Sequence, residues 1–420
     1  MITHFKQYVV SLYWICYIEI MLLVYEEKKK RVIKGHQDVH FSSFSAFHLV
    51  VVTARVKSRT QIASGATDDE DLSITIDDTS FPRLPDPHRI IDSPTAFSGG
   101  ALHNLAKTVY FLTFLKGKEH TVALRTDTPS STATLEALAI YAVRPEQELS
   151  LPAGNQAEDG DRRPWITITL EKFSLQSFTT TLTYSRRKRD SDDVKIVVDG
   201  KVQGNLARTI KRYLWRYLGS LLPPFATKTE TETFTVDLPQ GLHYLEFWAD
   251  RMPSLRSLTL DFGTEPPVPE GIPTVENPTW TKDFYDDTET MLLARTIYGE
   301  VGGESYEAKI AVAWSIRNRV EDAQKRWGGN YHEVILRQNQ YDALWDKRTY
   351  DKVRNPPTVN KQEQEAWKAS NTAAVQVVSG RTPDPTRGAN HFYASPIAAP
   401  SWADEKKFTV QIGSTMFYKL

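Results

Sequence analysis

The hydrophobic pattern changes period once along the chain, and that change limits the folds open to it. Before about residue 263 apolar residues alternate, in short runs rich in Val, Ile, Thr and aromatics. After about 282 they recur every three to four residues. Alternation buries one face of a strand, whereas a 3.6-residue period buries one stripe of a helix. Strands and helices therefore belong to separate parts of the chain. Between them lies GTEPPVPEGIPTVENPTW (Gly263–Trp280), rich in Pro and without periodicity. Residues 264–281 read as a semi-rigid polyproline linker able to span on the order of 50 Å.

The strand-patterned part repeats itself. DDEDLSITIDD from Asp68 matches DSDDVKIVVDG from Asp190, and LKGKEHTVALRTDTP from Leu115 matches LPQGLHYLEFWADRMP from Leu238. FHLVVVTARV from Phe47 pairs with PWITITLEKF from Pro164, and LEALAIYAV from Leu135 with LRSLTLDFG from Leu255. The order is kept. Two antiparallel β-sandwich modules are expected, over 45–150 and 164–263, with Leu151–Pro164 as a weaker linker. In LHYLEFWAD, alternation puts Tyr244, Glu246 and Trp248 on the outward face. Aromatic faces beside an acid suit a sugar, whose C–H face packs on the ring; the same pair also suits packing under a neighbouring loop. Trp215 and Tyr217 read as core or inter-domain packing, and Arg186–Arg189 as a solvated hairpin tip.

At 420 residues the chain holds two or three domains. Its net charge of −1 gives no pull toward nucleic acid. The single cysteine, Cys16, excludes an internal disulfide framework and a Cys-based zinc site. Nothing in the pattern calls for a metal or cofactor, and nothing sets the oligomeric state. YVVSLYWICYIEIMLLVY (Tyr8–Tyr25) is apolar but interrupted by Glu19, and its basic residues Lys28–Arg31 follow it. That order is the reverse of a secretory signal. Residues 8–25 admit membrane association as an anchor; the alternative is that 1–44 form a poorly structured leader.

In the helical part, Asp286 or Asp287 is placed to cap a helix through TETMLLARTIYG. Glu300 lies seven positions after Leu293 and three after Ile297, so it falls on the apolar stripe. Gly302 and Gly303 then end or bend the helix. A carboxyl at the end of an apolar stripe is desolvated, and desolvation keeps it protonated toward neutral pH. Such a group either donates a proton to a leaving alkoxide or is a buried structural glutamate. A second helix is expected from Ser305, with Ala308, Ala311, Val312, Ile316 and Val320 on one face. A third runs from Asn360, with a capping-box-like Glu363, to Gly380. His332 lacks the second histidine of a zinc-protease helix.

ARTIYGEVGGESYEAKIAVAWSIRNRV (Ala294–Val320), EVILRQNQY (Glu333–Tyr341), GANHFYA, PSWA and IGSTMFY occur in that order. Together they resemble the bacterial cell wall hydrolase family that includes the spore cortex-lytic enzymes. The resemblance covers residues 282–420. It implies a mainly helical, lysozyme-like (α+β) catalytic domain behind the two sandwich modules. It also implies cleavage of peptidoglycan between N-acetylmuramic acid and N-acetylglucosamine. The first acid of the GE-x-x-GE stretch, Glu300 here, would be the catalytic glutamate. Glu304, Gln340, Tyr341, Asn390, His391 and Tyr393 are candidates to bind the glycan strand. Two positions depart from the family: Val301-Gly302 replaces a small residue plus Arg, and Asn339-Gln340-Tyr341 stands where GQF is usual.

With one acid, Glu300 would protonate the glycosidic oxygen and then act as base for the muramic acid 6-hydroxyl, the lytic transglycosylase route. Asp342, Asp346 and Asp384 are the nearby acids for a hydrolase route. Either reaction places the protein in the cell envelope or outside the cell. The alternative is a wall-binding or adhesion protein that holds glycan without cutting it.

Overall fold

The computed structural model describes residues 21–77, 79–84, 93–144, 147–188, 190–205, 210–263, 271–338, 340–347, 349–356, 360–395 and 397–420. The chain forms two compact units. One takes most of the chain up to 263; the other takes 271–420 with the short stretches 44–46 and 116–118.

The first unit is built of strands. In chain order they are β1 (Met21–Glu27), β2 (Arg31–Lys34), β3 (His36–Ser42), β4 (Ala46–Arg55), β5 (Asp71–Ile76), β6 (Phe97–Ser98), β7 (Lys107–Leu115) and β8 (Glu119–Thr126). There follow β9 (Thr132–Val143), β10 (Glu148–Leu151), β11 (Arg163–Ser185), β12 (Asp193–Val198), β13 (Lys201–Val202), β14 (Tyr217–Leu218), β15 (Thr227–Asp250) and β16 (Ser254–Asp261). One sheet runs β1-β9-β4-β7-β11-β15-β12-β13, and a smaller one runs β3-β8-β5-β6.

The repeat is real at the level of register. Ile74 on β5 faces Leu124 on β8, as Ile196 on β12 faces Phe247 on β15. After each first strand an Asp turns the chain with positive φ, 49° at Asp77 and 46° at Asp199. Each carboxylate accepts a backbone N–H from the opposite strand at 2.8 Å, from Thr121 and from Tyr244. Each also binds a histidine Nδ1 on that strand, His120 at 3.0 Å and His243 at 2.8 Å. A local side-chain bond of this kind offsets the cost of the left-handed conformation. One matched pair does not hold: the partner of β16 is 177–183 of β11, not the run from Pro164.

The two copies are not separate sandwiches. β7 pairs in parallel with β11, setting Tyr110 opposite Ile168. Val50, Val52, Val109 and Phe111 enter one core with Ile74, Leu124 and Ile140. Leu49, Tyr110 and Leu112 enter the other with Ile166, Ile168 and Phe247. β4 and β7 are therefore buried on both faces, and a shared sheet joins the copies into one unit. Their near-continuous apolar runs, LVVV and VYFL, are what two buried faces require. The 151–164 stretch is likewise built in: β10 pairs with β16, and the Tyr110 hydroxyl donates to Pro152 O at 2.7 Å.

Residues 21–42 are not a loose leader, because β1 and β2 pair with β9, and β3 with β8. Residues 8–20 of the apolar N-terminal run lie outside the described residues. No helix among those described is long and apolar enough to cross a membrane.

The second unit packs α1 (Glu289–Val301), α2 (Tyr306–Val320), α3 (Tyr331–Ile335), α4 (Tyr350–Arg354) and α5 (Lys361–Val378) with a small antiparallel sheet. That sheet has the order β17 (His391–Ala394), β19 (Thr415–Tyr418), β18 (Phe408–Ile412). The cap of α1 is Thr288, which accepts Met291 N–H, rather than either aspartate. Asp287 is instead buried against Arg295. Ser305 caps α2 and Asn360 caps α5. Glu363 does not close a box; it accepts the Tyr298 hydroxyl at 2.6 Å and pairs with Lys352. Gly302 stays in helical geometry, and a Cβ there would lie 2.4 Å from Tyr298 O. The described second half of the expected linker packs on this unit: Trp367 Nε1 donates to Val275 O at 2.9 Å, and Val275 and Trp280 cover the core.

Arg295 is fully buried and spends its guanidinium on four groups. Nε reaches Asp287 Oδ2 at 2.7 Å, and the two terminal nitrogens reach Pro278 O, Val353 O and Arg354 O at 2.7–2.9 Å. Removing one partner of such a pair leaves a buried charge uncompensated. Asp287→Ala is expected to destabilise the second unit by about 3–5 kcal/mol, read as a lower denaturant midpoint. A midpoint equal to wild type would show that the pair does not anchor α1.

Candidate active site

Glu300 sits in the last turn of α1, on the stripe formed by the fully buried Leu293, Ala294 and Ile297. Its own carboxyl is half-buried. Oε1 accepts the Ala343 backbone N–H at 3.3 Å, from the short turn Asp342–Leu344. Burial pushes the Glu300 carboxyl up to about 6; the Ala343 amide opposes this, and the exposed Asp342 adds to it. The acid is thus poised near neutrality, as a proton donor requires.

The turn after Glu300 is clamped by a buried lysine. Lys309 Nζ, one turn into α2, donates to Val301 O, Gly302 O and Glu304 O at 3.1, 2.9 and 2.6 Å. They lie at the end of α1 and in the turn that follows it, where Val301 O also accepts the Glu304 backbone N–H at 3.0 Å. Glu304 is held as well: Oε1 accepts the Ser414 hydroxyl at 2.8 Å, from the turn between β18 and β19.

Three of the other candidates converge on a residue that the sequence reading passed over. Arg319, buried in α2, donates from Nε to Asn390 O at 2.5 Å and from a terminal nitrogen to Gln340 Oε1 at 2.7 Å. Its guanidinium lies 5.5 Å from the Tyr341 ring centre. The signal was available: Arg319 follows Ile316 by three and Val312 by seven, so it interrupts the apolar stripe of α2 as Glu300 does that of α1. Asn390 Nδ2 and Oδ1 bind the backbone of Leu420, a structural use. Tyr341 is buried, with its hydroxyl closed off from solvent.

His391 and Tyr393, half-buried on β17, join an aromatic cluster. Trp402 stands 5.1 Å from His391 and 6.0 Å from Tyr393, and Trp327 stands 5.7 Å from His391. Burial, reinforced by Arg319, Arg326 and Lys407, pulls His391 down to about 4, so the ring is neutral at pH 7. Asp384 is committed to its loop, accepting from Thr386 N, Gly388 N and Asn318 Nδ2. His332 is buried, and its Nε2 lies 3.0 Å from Asp287 O.

The strand-rich unit holds a cavity of about 440 Å³ lined by Lys107, Glu246, Trp248 and Asp199 among others. Of the two readings of Tyr244, packing holds rather than a sugar platform: it is 1% exposed, and its hydroxyl donates to Pro82 O at 2.5 Å. Trp248 remains half-buried, with Lys195 Nζ 4.0 Å from its ring centre and its Nε1 donating to Glu246 at 3.0 Å.

The raised pKa of Glu300 carries a stability consequence. Its charged form is disfavoured in the folded state, so folding loses free energy as pH rises from about 4.5 to about 6. Above that window the loss is ~2 kcal/mol. Glu300→Gln is expected to raise the melting temperature at pH 7.5 and leave it unchanged at pH 4. An equal shift at both pH values would mean that the ionised carboxylate is not strained.

Residues 303–418 match the model of the Cell Wall Hydrolase family, a segment that begins just after Glu300. A curated relative, the spore cortex-lytic enzyme of Halalkalibacterium halodurans, is 25% identical over 143 residues, 34% of this chain and 38% of that relative. The match thus spans well under half the relative's length. Among solved structures, the catalytic domain of the germination-specific lytic transglycosylase SleB from Bacillus anthracis is 23% identical, covering 36% of this chain and all of that one, with a TM-score of 0.25. The catalytic domain of the Bacillus cereus SleB protein is 25% identical, covering 37% and 99%, with a TM-score of 0.25. The C-terminal part of this chain is therefore similar to cell wall hydrolases of the spore cortex-lytic type.

Proposed function

We propose that this protein cleaves peptidoglycan glycan strands between N-acetylmuramic acid and N-acetylglucosamine, with Glu300 as general acid and then base. The observation that carries this reading is the half-buried Glu300 carboxyl, raised to about 6 at the end of an apolar helix face. Similarity of residues 303–418 to cell wall hydrolases supports the substrate class. Protonated Glu300 gives its proton to the glycosidic oxygen as the C1–O bond breaks and an oxocarbenium-like sugar forms. The muramic acid 6-hydroxyl then attacks C1 while Glu300 takes its proton back, leaving a 1,6-anhydro end and the original carboxyl. This lytic transglycosylase route needs only the one acid, and of the acids nearby Asp384 is committed to its own loop. The substrate places the action in the cell envelope or outside the cell.

The strand-rich unit is assigned a docking role, on the cavity beside Trp248. An indole edge with a carboxylate, Trp248 and Glu246, suits a polyhydroxyl ligand.

Incubation with purified peptidoglycan and mass spectrometry of the released muropeptides tests the reaction. Anhydro ends are expected; reducing ends would indicate hydrolysis, and no soluble product would support a binding protein. Glu300→Gln is expected to lower cleavage at least ~100-fold, in line with the loss of a general acid. Because Glu300 acts when protonated, kcat/KM should fall as pH rises above about 6, roughly tenfold per unit. A flat profile between pH 5 and 8 would exclude it as the acid. For docking, Trp248→Ala in the Glu300→Gln background should reduce co-sedimentation with insoluble peptidoglycan several-fold, and unchanged sedimentation would remove the cavity from the account.

A further inference from the structure

Tyr341 carries a hydroxyl with no evident structural use. The side chain is 2% exposed and its oxygen has no solvent contact; Arg319 acts on that oxygen as a donor, which leaves the phenol O–H proton without an acceptor among the described residues. Native proteins rarely leave a buried O–H donor unpaired, since the group has given up water for nothing. The residue also sits at a telling place. It caps the short turn Asp342–Leu344, and two residues later the Ala343 amide binds Glu300 Oε1 at 3.3 Å. On its other side stands Arg319, 5.5 Å from the ring centre and fixed by Gln340 and Asn390.

We infer that the Tyr341 hydroxyl is a positioning donor for Glu300, taking up a hydrogen bond to the carboxylate that forms when Glu300 gives its proton to the substrate. The inference rests on the proposed role of Glu300. Before transfer Glu300 is a neutral acid and the phenol O–H has no acceptor. After transfer Glu300 carries a full negative charge in a half-buried setting, where one more donor matters most. Tyr341 keeps its own proton throughout, and Glu300 recovers its proton in the second half of the reaction. Burial and the Glu300 charge push the phenol up to about 12, while Arg319 opposes them, so the hydroxyl stays a donor at every working pH. The charged groups around the pair are Asp342 on the same turn, which raises Glu300, and Arg319 on α2. The Ala343 amide is already committed to the carboxyl in the resting state, which leaves Tyr341 as the group with capacity in reserve.

Tyr341→Phe removes the oxygen alone. In the full-length chain, the ionisation of Glu300 is followed by carboxyl carbon NMR, with Glu300→Gln identifying the signal. The pKa of Glu300 is expected to rise in Tyr341→Phe, corresponding to a ~3–10-fold weaker acid, as loss of a charge-assisted bond implies. The high-pH limb of kcat/KM should move upward with it, and the rate at its plateau should fall by a similar factor. The melting temperature should stay level or rise, because a buried O–H without an acceptor has gone. A purely structural hydroxyl would lower the melting temperature and leave the Glu300 titration in place. An unchanged Glu300 pKa in a folded Tyr341→Phe protein overturns the inference. Failure of the wild-type protein to cleave peptidoglycan would instead reject the catalytic reading, while the titration would still decide whether Tyr341 serves Glu300.

Discussion

The second unit depends on a buried fork. Arg295 ties Asp287, the Pro278 carbonyl and the end of α4 to the middle of α1. These four contacts come from three separate stretches of chain, so α1 cannot rotate or slide without breaking them together. Glu300 lies five residues further along the same helix. Its position is therefore inherited from an ion pair more than one turn away, which faces the opposite end of the helix. Lys309 completes the constraint from the other side by gathering carbonyls at the end of α1 and in the turn that follows it. A half-buried carboxyl held between two such anchors is partly desolvated by its surroundings. That is the condition for a raised carboxyl pKa.

The first unit solves a different problem. Two related copies each have a strand pair closed by an Asp turn and a histidine. Neither copy is a sandwich by itself. β4 and β7 lend one face to each core, so the copies are joined by apolar packing on both sides of shared strands. The cavity beside Trp248 is lined by residues of both copies, Lys107 from one and Glu246 from the other. The same fusion explains why Tyr244 is buried: its outward face in the second copy is an inward face of the joined unit, packed in the core of the first.

Much of this was legible from residue order. Period two against period 3.6 separated strands from helices, because each periodicity buries a face in only one kind of element. The Ser305 and Asn360 caps, the Gly380 stop and the anomaly of Glu300 on an apolar stripe were all local. So was Arg319, had the same test been applied to α2. The Thr288 cap was missed because Asp287, equally suited to cap by type, is occupied by Arg295 from two turns away. The described parts of the expected leader and linker, 21–42 and 271–281, are packed for a similar reason: strand pairing and side-chain bonds from distant residues hold them.

What the sequence by itself determined is the kind of element at each place and the one acid that breaks its pattern, since both follow from neighbours within a few residues. What only the tertiary structure decided is which faces are buried twice, that the Tyr341 hydroxyl is closed off from solvent, and how far Glu300 is removed from water. Those depend on groups brought together from far along the chain, and desolvation is a property of that surrounding rather than of the residue.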